Sequence, residues 1–127
     1  MQNAINWFEL PVEQLERAQK FYETLLAIRL KAGLLEGLPM AVFPYAEGVG
    51  GALVKSANHR PATDGAVVYL NANGSLDACL ARVAAAGGRL LQGKTDIGDP
   101  GFVAILLDTE GNRVGLHDRV RTAPRAS

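Results

Sequence analysis

Few side chains in this sequence can do chemistry, and strand alternation gathers most of them onto shared faces. In Ala4–Leu10, Phe8 and Leu10 fall on one side and Ile5, Trp7 and Glu9 on the other. Glu9 is therefore a carboxylate beside an indole on the face turned away from the core. That setting suits it to accept a proton or to bind a polar ligand group, which makes it the candidate catalytic residue. Pairing with Arg113 or with the hydroxyl of Tyr69 is the structural alternative. Near the other end, Arg113, Gly115 and His117 alternate with Val114 and Leu116. The forked donors of Arg113 suit an anionic group, against a surface ion-pair role. His117 suits a displaced metal ligand or an acid–base group, against a half-exposed strand end. Trp7 and Tyr69 offer aromatic surface with a polar handle, fit for planar or mixed-polarity ligands or for filling a curled sheet. Asn71 shares the face of Val67 and Tyr69. The candidate ligand-binding set is thus Trp7, Tyr69, Asn71, Arg113 and His117.

Other residues point to structural roles. His59 stands in a polar stretch and reads as a solvated loop residue, and Cys79 falls on a helical stripe with Leu76, Leu80 and Val83, as a core residue would. Gly48, Gly50 and Gly51 lie between strand-like segments without the strand-to-helix context of a phosphate loop, so turns and bulges are expected of them. The serines form no triad with a histidine and an acid, and nothing argues for hydrolysis.

These groups are carried by a chain of 127 residues, a length that suits one domain with one core. Thirteen basic and thirteen acidic side chains give a formal net charge of zero, and no run of like charge offers a nucleic acid or an anionic membrane a binding surface. The longest apolar runs are far too short to cross a bilayer. With no basic-then-apolar leader and one cysteine, the expected location is the cytoplasm.

The elements that must position the candidates repeat. A strand at Ala4–Leu10 is followed by a helix marked by Val12, Leu15, Ala18, Tyr22, Leu25 and Leu26, expected to run about four turns. Strands are expected at Ile28–Ala32, Leu38–Phe43 and Val49–Val54. After a polar connector at Ser56–Gly65, a strand at Ala66–Ala72 leads to a second helix. It starts at Ser75, a suitable N-cap, and stops at Gly87-Gly88. Strands at Arg89–Gln92, Phe102–Leu107 and Arg113–His117 follow. Between the last two, Asp108-Thr109-Glu110-Gly111-Asn112 reads as a hairpin turn in which Gly111 and Asn112 both take positive φ. The order strand, helix, three strands thus occurs twice. The expectation is an α+β fold of two βαβββ modules, roughly residues 1–56 and 66–118, joined by a linker at roughly 57–65 and followed by a frayed tail from 119.

Three stretches in that order, Trp7-Phe8-Glu9-Leu10-Pro11-Val12 running into Leu15–Tyr22, Leu76-Asp77-Ala78 through Gly88, and Asp108–Arg113, resemble the vicinal oxygen chelate superfamily, which includes glyoxalase I, bleomycin-resistance proteins and extradiol dioxygenases. The resemblance implies paired βαβββ modules forming curved mixed sheets around a pocket, helices on the outer face, and subunits pairing to complete the site, so a homodimer is expected. It also implies, in metal-dependent members, ligands from the start of each module's first strand and from its last strand. Those positions fall here on Trp7, on Val67 or Val68, on Ala52 and on Gly115, none of which offers a side-chain donor. The expectation is therefore a protein without metal or other cofactor that binds a small organic molecule, with proton transfer through Glu9 as its possible chemistry. The alternatives are a lyase or dioxygenase using unconventional ligands such as Glu9 and His117, and a sequestering protein acting by affinity alone.

Overall fold

The computed structural model describes residues 3–35 and 37–119. The chain runs β1 (Trp7–Pro11), α1 (Leu15–Leu26), β2 (Lys31–Leu35), β3 (Leu38–Val42), β4 (Gly50–Val54), β5 (Tyr69–Asn71), α2 (Leu76–Ala86), β6 (Arg89–Asp96), β7 (Phe102–Leu107) and β8 (Arg113–Asp118). This is the expected βαβββ order, twice. Several bounds differ: α1 is 12 residues long, shorter than the expected four turns; β5 keeps only three residues of its expected seven; and β6 continues to Asp96. The tail beyond Arg119 lies outside the described residues.

Each module forms its own four-stranded mixed sheet, in the order β1-β4-β3-β2 and β5-β8-β7-β6. The first strand of each module pairs in parallel with the last, and the remaining pairs are antiparallel. Among the described residues no ladder joins the two sheets. Alternation gives each sheet an apolar face: Leu10, Ala41 and Leu53 in the first, Leu70, Ala104, Leu106, Val114 and Leu116 in the second, all buried. Helix α1 lies on β3 and β4, α2 lies on β6 and β8, and the helices contact each other, so the two modules share one core.

The helices follow from their stripes. Ala18, Phe21, Tyr22 and Leu25 recur at three- and four-residue spacing and are fully or almost fully buried, as are Leu76, Cys79 and Val83 on α2. Cys79 is the core residue its position suggests, and Leu80 is half-buried beside the same core. Gly87, at φ 104, closes α2 in the left-handed region that glycine tolerates. Helix α1 closes on Ala27 at φ 55, the one non-glycine residue with positive φ among those described. Ser75 occupies the N-cap position of α2, but its hydroxyl makes no capping bond and turns back to the Ala72 carbonyl at 3.4 Å.

Candidate functional site

The acidic turn between β7 and β8 departs from the expected hairpin. Gly111 takes φ 94, whereas Asn112 keeps negative φ and is buried. Its side chain explains why. Nδ2 donates to the Pro11 carbonyl at 2.7 Å and to Asp108 Oδ2 at 3.0 Å, while Oδ1 accepts from Ala62 N–H at 3.3 Å. Asp108 accepts the Tyr22 hydroxyl at 2.6 Å and the N–H groups of Glu110 and Asn112. Glu110 reaches across to the entry of α1, where it accepts the N–H groups of Glu13 and Gln14 at 2.9 and 2.8 Å and Arg17 Nε at 2.7 Å. Burial works against the charge on Glu110, but the Arg17 guanidinium, the Gln14 N–H, the Thr109 hydroxyl and the Glu13 N–H outweigh it and bring the carboxyl down to about 2. Tyr22 moves the other way: burial, and then the charge and hydrogen bond of Asp108, push its hydroxyl well above the ordinary tyrosine range. A turn of module 2 thereby fixes the end of β1, the start of α1 and the linker at Ala62.

On those open faces, opposite the helices, the ladders place Trp7 across from Gly50, Glu9 across from Ala52, Tyr69 across from Gly115 and Asn71 across from His117. The missing side chains have a packing reason. A Cβ on Gly50 would run into the ring of Tyr45, one on Gly115 into the ring of Tyr69, and one on Gly51, on the core face, into Phe8. Val12 N–H bonds the Val54 carbonyl as Ala72 N–H bonds that of His117, so Glu9 and Tyr69 hold equivalent places in the two modules. By the same equivalence the counterpart of Trp7 is Val67, which is exposed, and not the half-buried Val68.

Trp7 and Glu9 act as a pair. The indole Nε1 donates to Glu9 Oε2 at 3.3 Å, and the ring meets Tyr45 edge-on with centroids 6.0 Å apart. Neither alternative partner expected for Glu9, Arg113 or the Tyr69 hydroxyl, is bonded to it. Glu9 is exposed, Trp7 is 40% and Tyr69 47% exposed. Glu9 and Arg113 line one cleft of about 330 Å³ where the modules meet the linker, together with His59, Arg60, Asp64 and Asn112. Asn71 instead borders a separate cavity of about 350 Å³ with Phe8, Tyr45 and Gly51, and its Oδ1 accepts the N–H of Asn73. His117 is half-buried, and its Nε2 donates to the Pro100 carbonyl at 2.6 Å. The structure therefore bonds Trp7 to Glu9, places Glu9 and Arg113 on one cleft, and leaves Asn71 and His117 engaged elsewhere.

Two groups were invisible in the sequence. Tyr45 is a loop residue with no periodic partner, and Arg60 and Asp64 belong to a stretch whose polarity reads as solvent exposure. The linker is also less free than its composition implies. Ser56 and His59 form an isolated bridge, Asn58 N–H bonds the Ser56 hydroxyl, and Ala62 docks on Asn112.

The family model described as Glyoxalase/Bleomycin resistance protein/Dioxygenase superfamily matches residues 4–116. The chain belongs to this superfamily. Solved structures agree on the fold. A glyoxalase/bleomycin resistance protein from Albidiferax ferrireducens is 22% identical, with a TM-score of 0.69 over 93% of this chain and 100% of the other. One from Streptomyces is 24% identical, with a TM-score of 0.67 over 90% and 99%. A glyoxalase I mutant from Zea mays is 21% identical, with a TM-score of 0.67 over 90% of this chain and 45% of its own. No curated protein matches the chain. The superfamily's metal-ligand positions do not fit a metal here: Trp7, Val67, Ala52 and Gly115 lack donors, and among the described residues no three His, Cys, Asp or Glu side chains come together to hold one. No helix is long and apolar enough to cross a membrane.

Proposed function

We propose that the protein is a metal-free member of the superfamily that binds a small organic molecule at the junction of its modules. The reading rests on one observation: Glu9 from module 1 and Arg113 from module 2 line one open cleft, and the indole of Trp7, on the same strand as Glu9, is hydrogen-bonded to the Glu9 carboxylate. A mixed-polarity ligand would stack on the indole and orient through the charges. Glu9, already bonded to the indole N–H, is the group that selects the ligand's charge and the one placed to take a proton from it. A second copy of the chain would cover the open edges β1 and β5 and shield the exposed rings of Trp7, Tyr45 and Tyr69, so the working form is a homodimer. The free, buried Cys79 suits a cytoplasmic setting.

Trp7 is the one tryptophan in the chain, so its fluorescence reports binding without a label. Titration with a library of small aromatic and charged compounds should quench it, and Glu9→Gln should change which charge classes bind. Light scattering across a dilution series should give a dimer, and elemental analysis after metal-rich expression should find no stoichiometric metal. A library that leaves the fluorescence unchanged, or one metal per chain lost on His117→Ala, would overturn the reading.

A further inference from the structure

The cleft at the module junction has an unusual charge content. Glu9 and Asp64 contribute carboxylates, and Arg60 and Arg113 contribute guanidiniums, with His59 beside them. Among the described residues the ion pairs are Arg17–Glu110 and Lys94–Asp77, so the acids and bases of the cleft stand in one small space without meeting each other. The scaffold fixes the backbone that carries these residues. Arg113 follows the buried Asn112 into β8, Glu9 precedes the Pro11 carbonyl that Asn112 holds, and the linker residues Arg60 and Asp64 flank Ala62, which the same Asn112 anchors. All four charged side chains are exposed, so a ligand entering the cleft meets charges of both signs.

We infer that the ligand of this cleft carries both a cationic and an anionic group. This rests on the reading that the cleft is the binding site. A purely anionic molecule would meet Glu9 and Asp64, and a purely cationic one would meet the two arginines, so each would lose at one wall what it gains at the other. A zwitterion satisfies both, its carboxylate or other oxyanion in the fork of an arginine and its ammonium against a carboxylate. A volume of about 330 Å³ lies at the small end of ligand cavities, which suits a molecule the size of an amino acid. Any apolar extension would run past His59 and Arg60, which also border a neighbouring groove of about 520 Å³ walled by Val12, Leu15, Leu38 and Pro39.

The probes are unbranched ω-amino acids of increasing length, each with its N-acetyl and carboxamide derivatives, titrated against Trp7 fluorescence and calorimetry. At one length the zwitterion should bind about tenfold or more tightly than either blocked form, a difference of about 1.4 kcal/mol. Arg113→Gln should bring the zwitterion down to its carboxamide, and Glu9→Gln to its N-acetyl form. The comparison of blocked and free ligands uses the unaltered protein, so it stands whether or not a variant folds. Equal binding of free and blocked forms overturns the inference. Phenol and benzamide separate the two readings: if they bind and no amino acid does, the zwitterion assignment falls and the junction site stands, and if neither class binds, both fall.

Discussion

The two modules share one plan but fasten their helices differently. Helix α2 is closed within its own module: Gly87 ends it, and the turn before it is held by the Asp118 carboxylate, which accepts the Gly74 N–H at 3.0 Å. Helix α1 depends on the other module, since the N–H groups at its entry go to Glu110 and its buried Tyr22 hydroxyl goes to Asp108. Its exit takes αL geometry on an alanine, braced by Glu23, which accepts Leu30 N–H at 2.9 Å. Module 2 therefore carries its own supports and, through Glu110 and Asp108, those at the entry of α1 and at Tyr22. A repeated unit can divide its labour once its copies fold together, because a buried polar group needs a partner but not one from its own repeat.

The largest test of this asymmetry is Asp108→Ala. It strips partners from the Tyr22 hydroxyl, two backbone N–H groups and Asn112 at once, and chemical denaturation should show a loss of about 3–5 kcal/mol. Tyr22→Phe, which removes one of those bonds and leaves the rest, should cost clearly less, and equal losses would dissolve the comparison. In the core, Leu25→Ala should cost about 2–5 kcal/mol because its side chain is fully buried, whereas the half-buried Leu80→Ala should cost about half as much.

Acid titration isolates the charge on Glu110. Its carboxyl sits at about 2 in the folded protein against an ordinary 4.5, so the unfolded chain binds the extra proton first. The stabilisation is complete above pH 4.5 and disappears as pH falls toward 2, a difference of about 3 kcal/mol. Glu110→Gln should flatten stability across that window and lower it at neutral pH. The smallest effects lie at the helix exits. Ala27→Gly should gain about 0.5–1 kcal/mol by relieving a left-handed alanine, and Gly87→Ala should lose about 1–2 kcal/mol, with Thr109 Cγ2 3.0 Å from the added carbon. Differential scanning calorimetry reads both.

Much of this architecture was legible in the residues. The first strand, expected at Ala4–Leu10 and found at Trp7–Pro11, the stripes of both helices and β7 at Phe102–Leu107 follow from apolar periodicity, which reports a one-dimensional property of the chain. The side on which Glu9, Trp7 and Tyr69 fall follows from the same alternation. The turn at Asp108–Asn112 was visible as a turn but misread as to cause. Glycine explains Gly111, while Asn112 and Glu110 are there for partners 101 and 96 residues away in the chain.

The sequence by itself therefore determined the element order and the faces, because each depends on residue type and local spacing. Only the tertiary structure decided that His117 is spent on Pro100 and that Arg60 and Asp64 join Glu9 and Arg113 at one cleft. Those meetings depend on how two sheets and a linker come together, and the hydrogen bonds that fix the meeting are long-range, satisfied by whichever distant group the packed core brings within reach.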